Sequence, residues 1–218
     1  MVTHESREPG EDIMENRTKD EKKQFRKDLL IRWTDGLSPT EQRISIFSHI
    51  RDIPYAIIPE WRESDDIIRM MISENKGWCG PKHHLLLWMF EQLGISIQFT
   101  MIPFRWQDQP VKYPDELRAC FPYLSPSHHL CCLGYLDNSW KMIDATWDPP
   151  LEQVGFPIND PWDGYSATIP AVIRWDENTR TEITPLLRAS LQNCDFTRQL
   201  NIWFEEVRHT KPPHEQKP

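Results

Sequence analysis

No stretch of this 218-residue chain approaches the 18 or more apolar residues in a row that a membrane-spanning helix needs, and its first residues hold no apolar signal core. No membrane association is therefore expected, and a cytoplasmic protein is. Excess positive charge is missing too: the net charge is −8, and the one basic run, Lys19 to Lys27, is diluted by Asp20, Glu21 and the following Asp28. Phosphate contacts require clustered Lys and Arg, so nucleic acid is not an expected partner and the run reads as a solvated helix face. There is no Cys-x-x-Cys spacing, no zinc-binding cysteine framework and no carboxylate-rich Asp-x-Asp-x-Asp-Gly loop. Neither a metal nor a cofactor is expected. Five cysteines, an odd count with Cys131 and Cys132 adjacent, do not form a disulfide framework and fit a reducing compartment better. No internal repeat occurs, no feature sets an oligomeric state, and the length suits one domain with a sizeable core. The expected layout is a mobile polar tail over residues 1–17, a single domain over 18–210 and a disordered tail over 211–218.

What is present begins with helical patterning. Phe25, Leu29, Leu30 and Trp33 share one helical face within residues 18–35. Ser38-Pro39-Thr40-Glu41 is a capping box with proline at the first helical position, followed by Ile44, Phe47 and Ile50 and an expected end near Arg51. Ser64-Asp65-Asp66 caps a third helix running toward Asn75, with Gly77 ending it. Ile95, Ile97 and Phe99 alternate with polar residues as in a half-buried strand. The proline- and aromatic-rich spans 103–126 and 149–170 read as irregular, the first expected to wall a cleft. A last strand is expected over Ala171 to Trp175, and a terminal helix over Pro185 to His209 with Leu187, Leu191, Leu200, Trp203 and Phe204 facing inward.

Chemistry enters at Gly77-Trp78-Cys79-Gly80-Pro81, which leads into the apolar run Leu85-Leu86-Leu87-Trp88-Met89-Phe90. Pro81 belongs in a first helical turn, so Cys79 sits where a buried helix begins. Unpaired N–H groups and the positive end of the helix dipole favour a thiolate there, which makes Cys79 the candidate nucleophile. His83, one turn further on the same face, reads as a packing residue behind the thiol. Trp78 is placed to line a pocket.

The second block runs from Ser127 to Asp148. Two β-prone stretches flank Asp137-Asn138-Ser139, and Pro149-Pro150 closes the second, so it reads as a β-hairpin. A four-residue loop would set His129 directly opposite Asp144; a two-residue loop at Asp137-Asn138 would make them diagonal neighbours, about 7 Å apart; a three-residue loop would put them on opposite faces. In either of the first two cases the carboxylate can orient the imidazole, and a histidine so held can share a proton with a thiol. His128 should point away. Trp147, three residues beyond Asp144, is a second candidate pocket residue.

These blocks resemble the transglutaminase-like superfamily. The residues that carry the likeness are Cys79, Leu85, Leu86, Phe90, Leu93, Gly94 and Ile95, then His129, Trp140, Asp144, Thr146, Trp147 and Asp148. The stretch Trp162-Asp163-Gly164-Tyr165 is similar to a segment of small, largely uncharacterised prokaryotic members. The resemblance covers roughly residues 40 to 175. It implies an α+β, papain-like core in which the cysteine helix packs on an antiparallel sheet, and a triad of Cys79, His129 and Asp144. The chain departs from the pattern at Cys131 and Leu133, where many members have a tryptophan and an acidic residue.

The resemblance and the residues together lead to a cysteine-dependent acyl-transfer enzyme, hydrolysing or transamidating an amide in a peptide or protein. Two alternatives share the fold: a non-catalytic binding or scaffold module, and an acyltransferase or hydrolase for a small amide or thioester.

Overall fold

The computed structural model describes residues 9–176 and 195–210. Leu187, Leu191 and Cys194, together with the ends of both expected tails, lie outside the described residues. Helix α1 (Pro9–Thr34) is followed by α2 (Pro39–Arg51), α3 (Ile67–Glu74) and α4 (Cys79–Gln92). Strand β1 (Ile97–Phe104), the short α5 (Asp115–Arg118), the hairpin strands β2 (Ser127–Leu136) and β3 (Ser139–Ile143), and α6 (Phe196–His209) complete the order. The chain is α+β, with α4 packed on a three-stranded antiparallel sheet of order β1-β2-β3.

Local signals account for most helix boundaries. In α2 the Glu41 carboxylate accepts from the Ser38 N–H at 2.9 Å and from its hydroxyl at 2.6 Å, closing the capping box. Asp66 caps α3 by accepting from the Arg69 N–H. Asn75, in the left-handed region at φ 47°, ends that helix, a role expected of Gly77. Gly77 instead pairs with Tyr55 in an isolated parallel bridge. Helix α1 begins at Pro9, inside the stretch expected to be a polar tail.

The strands depart from expectation in two places. Strand β1 continues through Pro103 to Phe104, which an edge strand tolerates because proline need only lack an outward donor. Residues 171–175 form no strand, because the Ala171 and Ile173 N–H groups donate to the side chains of Asp144 (2.8 Å) and Gln109 (2.7 Å) instead of to a ladder. Only the Trp175 N–H reaches the sheet, at the Pro103 carbonyl, 2.7 Å away. The cysteine reading also needs correction. Cys120 is disulfide-bonded, while Cys79, Cys131 and Cys132 are free. An odd count rules out complete pairing but leaves room for a single bridge.

Two apolar clusters sandwich the sheet. Cys132, Leu136 and Ile143 join Leu85, Leu86, Met89 and Phe90 of α4 with Phe47 and Ile50 of α2. Ile102, Phe104 and Cys131 join Trp147, Phe156, Leu200 and Phe204. Successive strand residues thus feed opposite cores, as the period of two requires. Trp78 packs against both clusters, so the start of α4 lies at their junction.

One buried charge ties that junction together. Lys82 is wholly inaccessible, and its Nζ donates to the Arg51 carbonyl at 3.0 Å and the Thr146 carbonyl at 2.7 Å. Burial lowers its pKa to about 7 from 10.5, against an opposing pull from Asp148. A lysine whose pKa falls on folding opposes folding most below the folded value, and the cost fades as pH rises toward the unfolded value. We therefore expect Lys82→Met, which deletes the charge, to gain stability relative to the parent at pH 6 compared with pH 9.5. Urea unfolding of both proteins across that range is the measurement; a difference independent of pH would show that Lys82 is not forced toward neutrality.

Candidate active site

Cys79 is the first residue of α4, because Trp78 before it is extended (φ −118°, ψ −177°) and serves as the N-cap. It is half-buried and faces a cavity of about 610 Å3 whose wall includes Tyr55, Trp78, Phe104, Trp106, His129 and Trp147. Arg62, Ser125 and His128, all exposed, carry the cavity to the surface. His128, expected to point away, thus borders the same opening. Leu124 and Ser125, from the irregular span expected to wall a cleft, line it too. Gly80 gives the Trp78 indole its place: a Cβ there would stand 2.9 Å from Trp78 Nε1.

The hairpin closes with the two-residue loop Asp137-Asn138, both at positive φ (48° and 61°), and Leu136 pairs with Ser139. That register makes His129 and Asp144 diagonal neighbours on one face, and their side chains close the gap: His129 Nε2 donates to Asp144 Oδ2 at 2.8 Å. The same oxygen accepts the Ala171 N–H at 2.8 Å, and Oδ1 accepts the Thr146 hydroxyl at 2.6 Å. Burial pushes the Asp144 carboxyl toward neutrality, but His129 and its other donors hold it below the usual carboxylate range. Burial likewise opposes charge on His129. The Asp144 carboxylate outweighs it and raises the imidazole well above its ordinary value, with the nearby Cys131 and Cys79 thiols adding to the effect. Cys79 and His129 thus line one cavity, and the Asp144 carboxylate sits on Nε2 of the ring.

His83 stands apart in charge. Its Nδ1 donates to the Cys79 carbonyl at 2.9 Å and its Nε2 accepts the Ala145 N–H at 3.1 Å, an arrangement only the neutral ring can make. Asp144 Oδ1 lies 3.5 Å from Nε2, but the lone pair there is already engaged, so this is not an ion pair. Burial agrees, lowering the His83 pKa to about 4. His83 does not line the cavity; it couples the Cys79 main chain to the segment just after β3. Trp147 does line it, with its indole N–H donating to the Ala171 carbonyl at 2.7 Å and its ring 4.4 Å from that of Tyr55.

Sequence reading missed Ala171, which carries no local signal and arrives from a distant part of the chain. It also undervalued Cys131, which shares the His129 face two residues along β2. Ligand atoms of His129, Cys131 and Asp144 lie within 4.8 Å of one another. All three are buried, and the carboxylate already accepts three strong hydrogen bonds, so a cation would have to break them to bind. As a nucleophile Cys131 is poorly placed: it has no exposure, does not line the cavity, and burial raises its pKa.

No family model matches the chain. No curated protein matches it either. Among solved structures it is similar to a "Putative Cysteine Protease from Cytophaga hutchinsonii", at 19% identity and a TM-score of 0.39, over 60% of this chain and 39% of that one. The chain thus spans well under half of that protein's length.

Accessibility separates the three free thiols among the described residues. Brief treatment of the native protein with iodoacetamide at mildly acidic pH is expected to modify Cys79 first, and Cys131 and Cys132 only after unfolding, since both have zero exposure. Peptide mass mapping reads this out. Equal labelling of Cys79 and Cys131 would mean that the cavity does not select between them.

Proposed function

We propose that this protein is a cysteine-dependent acyl-transfer enzyme of the transglutaminase-like kind, acting on an amide in a peptide or protein. Cys79 is the nucleophile, His129 its proton partner and Asp144 the group that holds His129. The observation that carries the reading is the placement of three groups: Cys79 at a helix start and His129 on β2 line one cavity, and the buried Asp144 holds the ring from behind, in surroundings that favour its protonated form. A packing role alone would require neither an open cavity at the thiol nor a buried carboxylate behind the histidine.

The chemistry follows from these positions. The Cys79 sulfur, having given its proton to His129, attacks the amide carbon; an S–C bond forms and the carbonyl π pair moves to oxygen. As the first residue of α4, Cys79 offers a backbone N–H with no partner inside the helix, a natural donor to that oxyanion. Collapse restores the carbonyl, breaks the C–N bond and draws the proton from His129 onto the leaving amine. Water or a second amine then gives its proton to His129, attacks the thioester and releases the sulfur. Throughout, Asp144 stabilises the imidazolium and fixes its orientation.

Cys79→Ala is expected to abolish turnover with the fold intact, because the lost side chain is small and half-exposed. Asp144→Asn should lose on the order of 10 to 10⁴ in rate, the lower end being favoured because thiols ionise more readily than hydroxyls. The assay is turnover of a panel of glutamine donors and peptide amides by all three proteins at equal folded concentration. Activity in Cys79→Ala equal to the parent would remove the nucleophile; an inactive parent on every substrate would favour a scaffold role.

A further inference from the structure

Tyr55 lies in the turn after α2, yet its main chain is fixed on three sides. Its N–H donates to Asp148 Oδ1 at 2.8 Å, and its carbonyl accepts from Arg208 Nη2 at 2.9 Å. The parallel bridge to Gly77, flanked by the bonds Ala56 N–H to Gly77 carbonyl (2.9 Å) and Gly77 N–H to Pro54 carbonyl (3.0 Å), sets it beside the segment that ends in Cys79. The ring packs against Trp147 at 4.4 Å and the edge of Phe204 at 5.8 Å. Only 5% of the residue is exposed, and it lines the same cavity as Cys79. Its hydroxyl faces the Cys79 side chain, and no other group among the described residues takes its hydrogen.

We propose that the Tyr55 hydroxyl is a catalytic group that donates a hydrogen bond to the Cys79 sulfur at rest and transfers that bond to the carbonyl oxygen when the sulfur attacks. The proposal rests on the acyl-transfer reading and deepens it, supplying the second oxyanion donor beside the Cys79 N–H. No proton leaves Tyr55 at any step: the S–C bond forms, the π pair moves onto oxygen, and the hydroxyl hydrogen bonds to that charge until the C–N bond breaks. Burial above all, with the Asp144 carboxylate nearby, holds the phenol well above its ordinary pKa, so it stays a donor. Rigid placement suits the task, since donors fixed in advance stabilise developing charge without reorganisation.

Tyr55→Phe keeps the ring and its contacts with Trp147 and Phe204 and deletes only the donor. Two readouts are expected to move. Amide turnover falls by about 10² to 10³, the usual loss for one oxyanion donor. Independently of any substrate, the pH midpoint for iodoacetamide alkylation of Cys79 moves upward, because the thiolate loses a hydrogen bond. Replacing Tyr55 with 3,5-difluorotyrosine, a stronger donor of nearly the same shape, moves the midpoint downward and serves if the phenylalanine variant does not fold. An unchanged midpoint in a folded variant overturns the resting contact. Turnover within about twofold of the parent, with Cys79→Ala inactive, overturns the oxyanion role alone. Turnover that survives in Cys79→Ala sinks the acyl-transfer reading instead, so the two failures are distinguishable.

Discussion

The Asp144 carboxylate lies inside the protein, with 2% of the residue exposed, and both of its oxygens are engaged by donors from His129, Thr146 and Ala171. Leaving a buried charge without one partner costs about 3 to 5 kcal/mol, more than the roughly 1.5 to 3 kcal/mol that one hydrogen bond to a charged group contributes. Surrounding segments are therefore constrained to supply donors before they satisfy their own preferences. Residue 171 turns its N–H inward instead of joining a ladder, and the Thr168 hydroxyl accepts the Asp144 N–H at 2.9 Å. The Asp144 carboxylate favours the charged form of His129, while burial, with the bond from Ala145 to its lone pair, keeps His83 neutral beside it.

The run of residues 144 to 146 is where this electrostatic demand meets the helix. Asp144 holds His129, Ala145 donates to His83, and the Thr146 carbonyl accepts from Lys82. Lys82 and His83 belong to the first turn and a half of α4, and His83 in turn donates to the Cys79 carbonyl. Three consecutive residues just after β3 therefore fix both the histidine and the helix that bears the thiol. That shared anchor is why two elements far apart in sequence can hold a sulfur and an imidazole in one geometry without a direct bond between their backbones.

How much of this could be read beforehand depends on distance along the chain. The α2 and α3 caps and the helix start at Cys79 are set by neighbours within a few residues, and each was legible; the hairpin was legible too, but not the length of its loop. Cys79, His129 and Asp144 stood out as a set through the family resemblance, but whether His129 and Asp144 share a face turned on the loop length, which the observed register puts at two residues. The exact placement of Tyr55 at the cavity was not legible, because it depends on the Gly77 bridge and the Asp148 carboxylate, neither near it in sequence. The expected strand at Ala171 to Trp175 failed for a related reason: Val172, Ile173 and Trp175 have strand propensity, but side-chain acceptors at Asp144 and Gln109 took the N–H groups a ladder would use.

The last contribution comes from α6. Arg208 sets a two-pronged pair on Asp148, Nε to Oδ2 at 2.8 Å and Nη2 to Oδ1 at 2.9 Å, and spends a further bond on the Tyr55 carbonyl. Asp148, itself 2% exposed, accepts the Tyr55 N–H with the same oxygen that Arg208 Nη2 holds. A buried pair of this kind stabilises folding little once desolvation is counted, but it fixes geometry, because losing either member strands the other. Leu200 and Phe204 bury the inner face of α6 against Tyr55, Trp147 and Phe156, and Phe196 at its start forms part of the cavity wall. The cavity over Cys79 is thus complete only when α6 has docked, and the same contact that docks it orients the tyrosine beside the thiol.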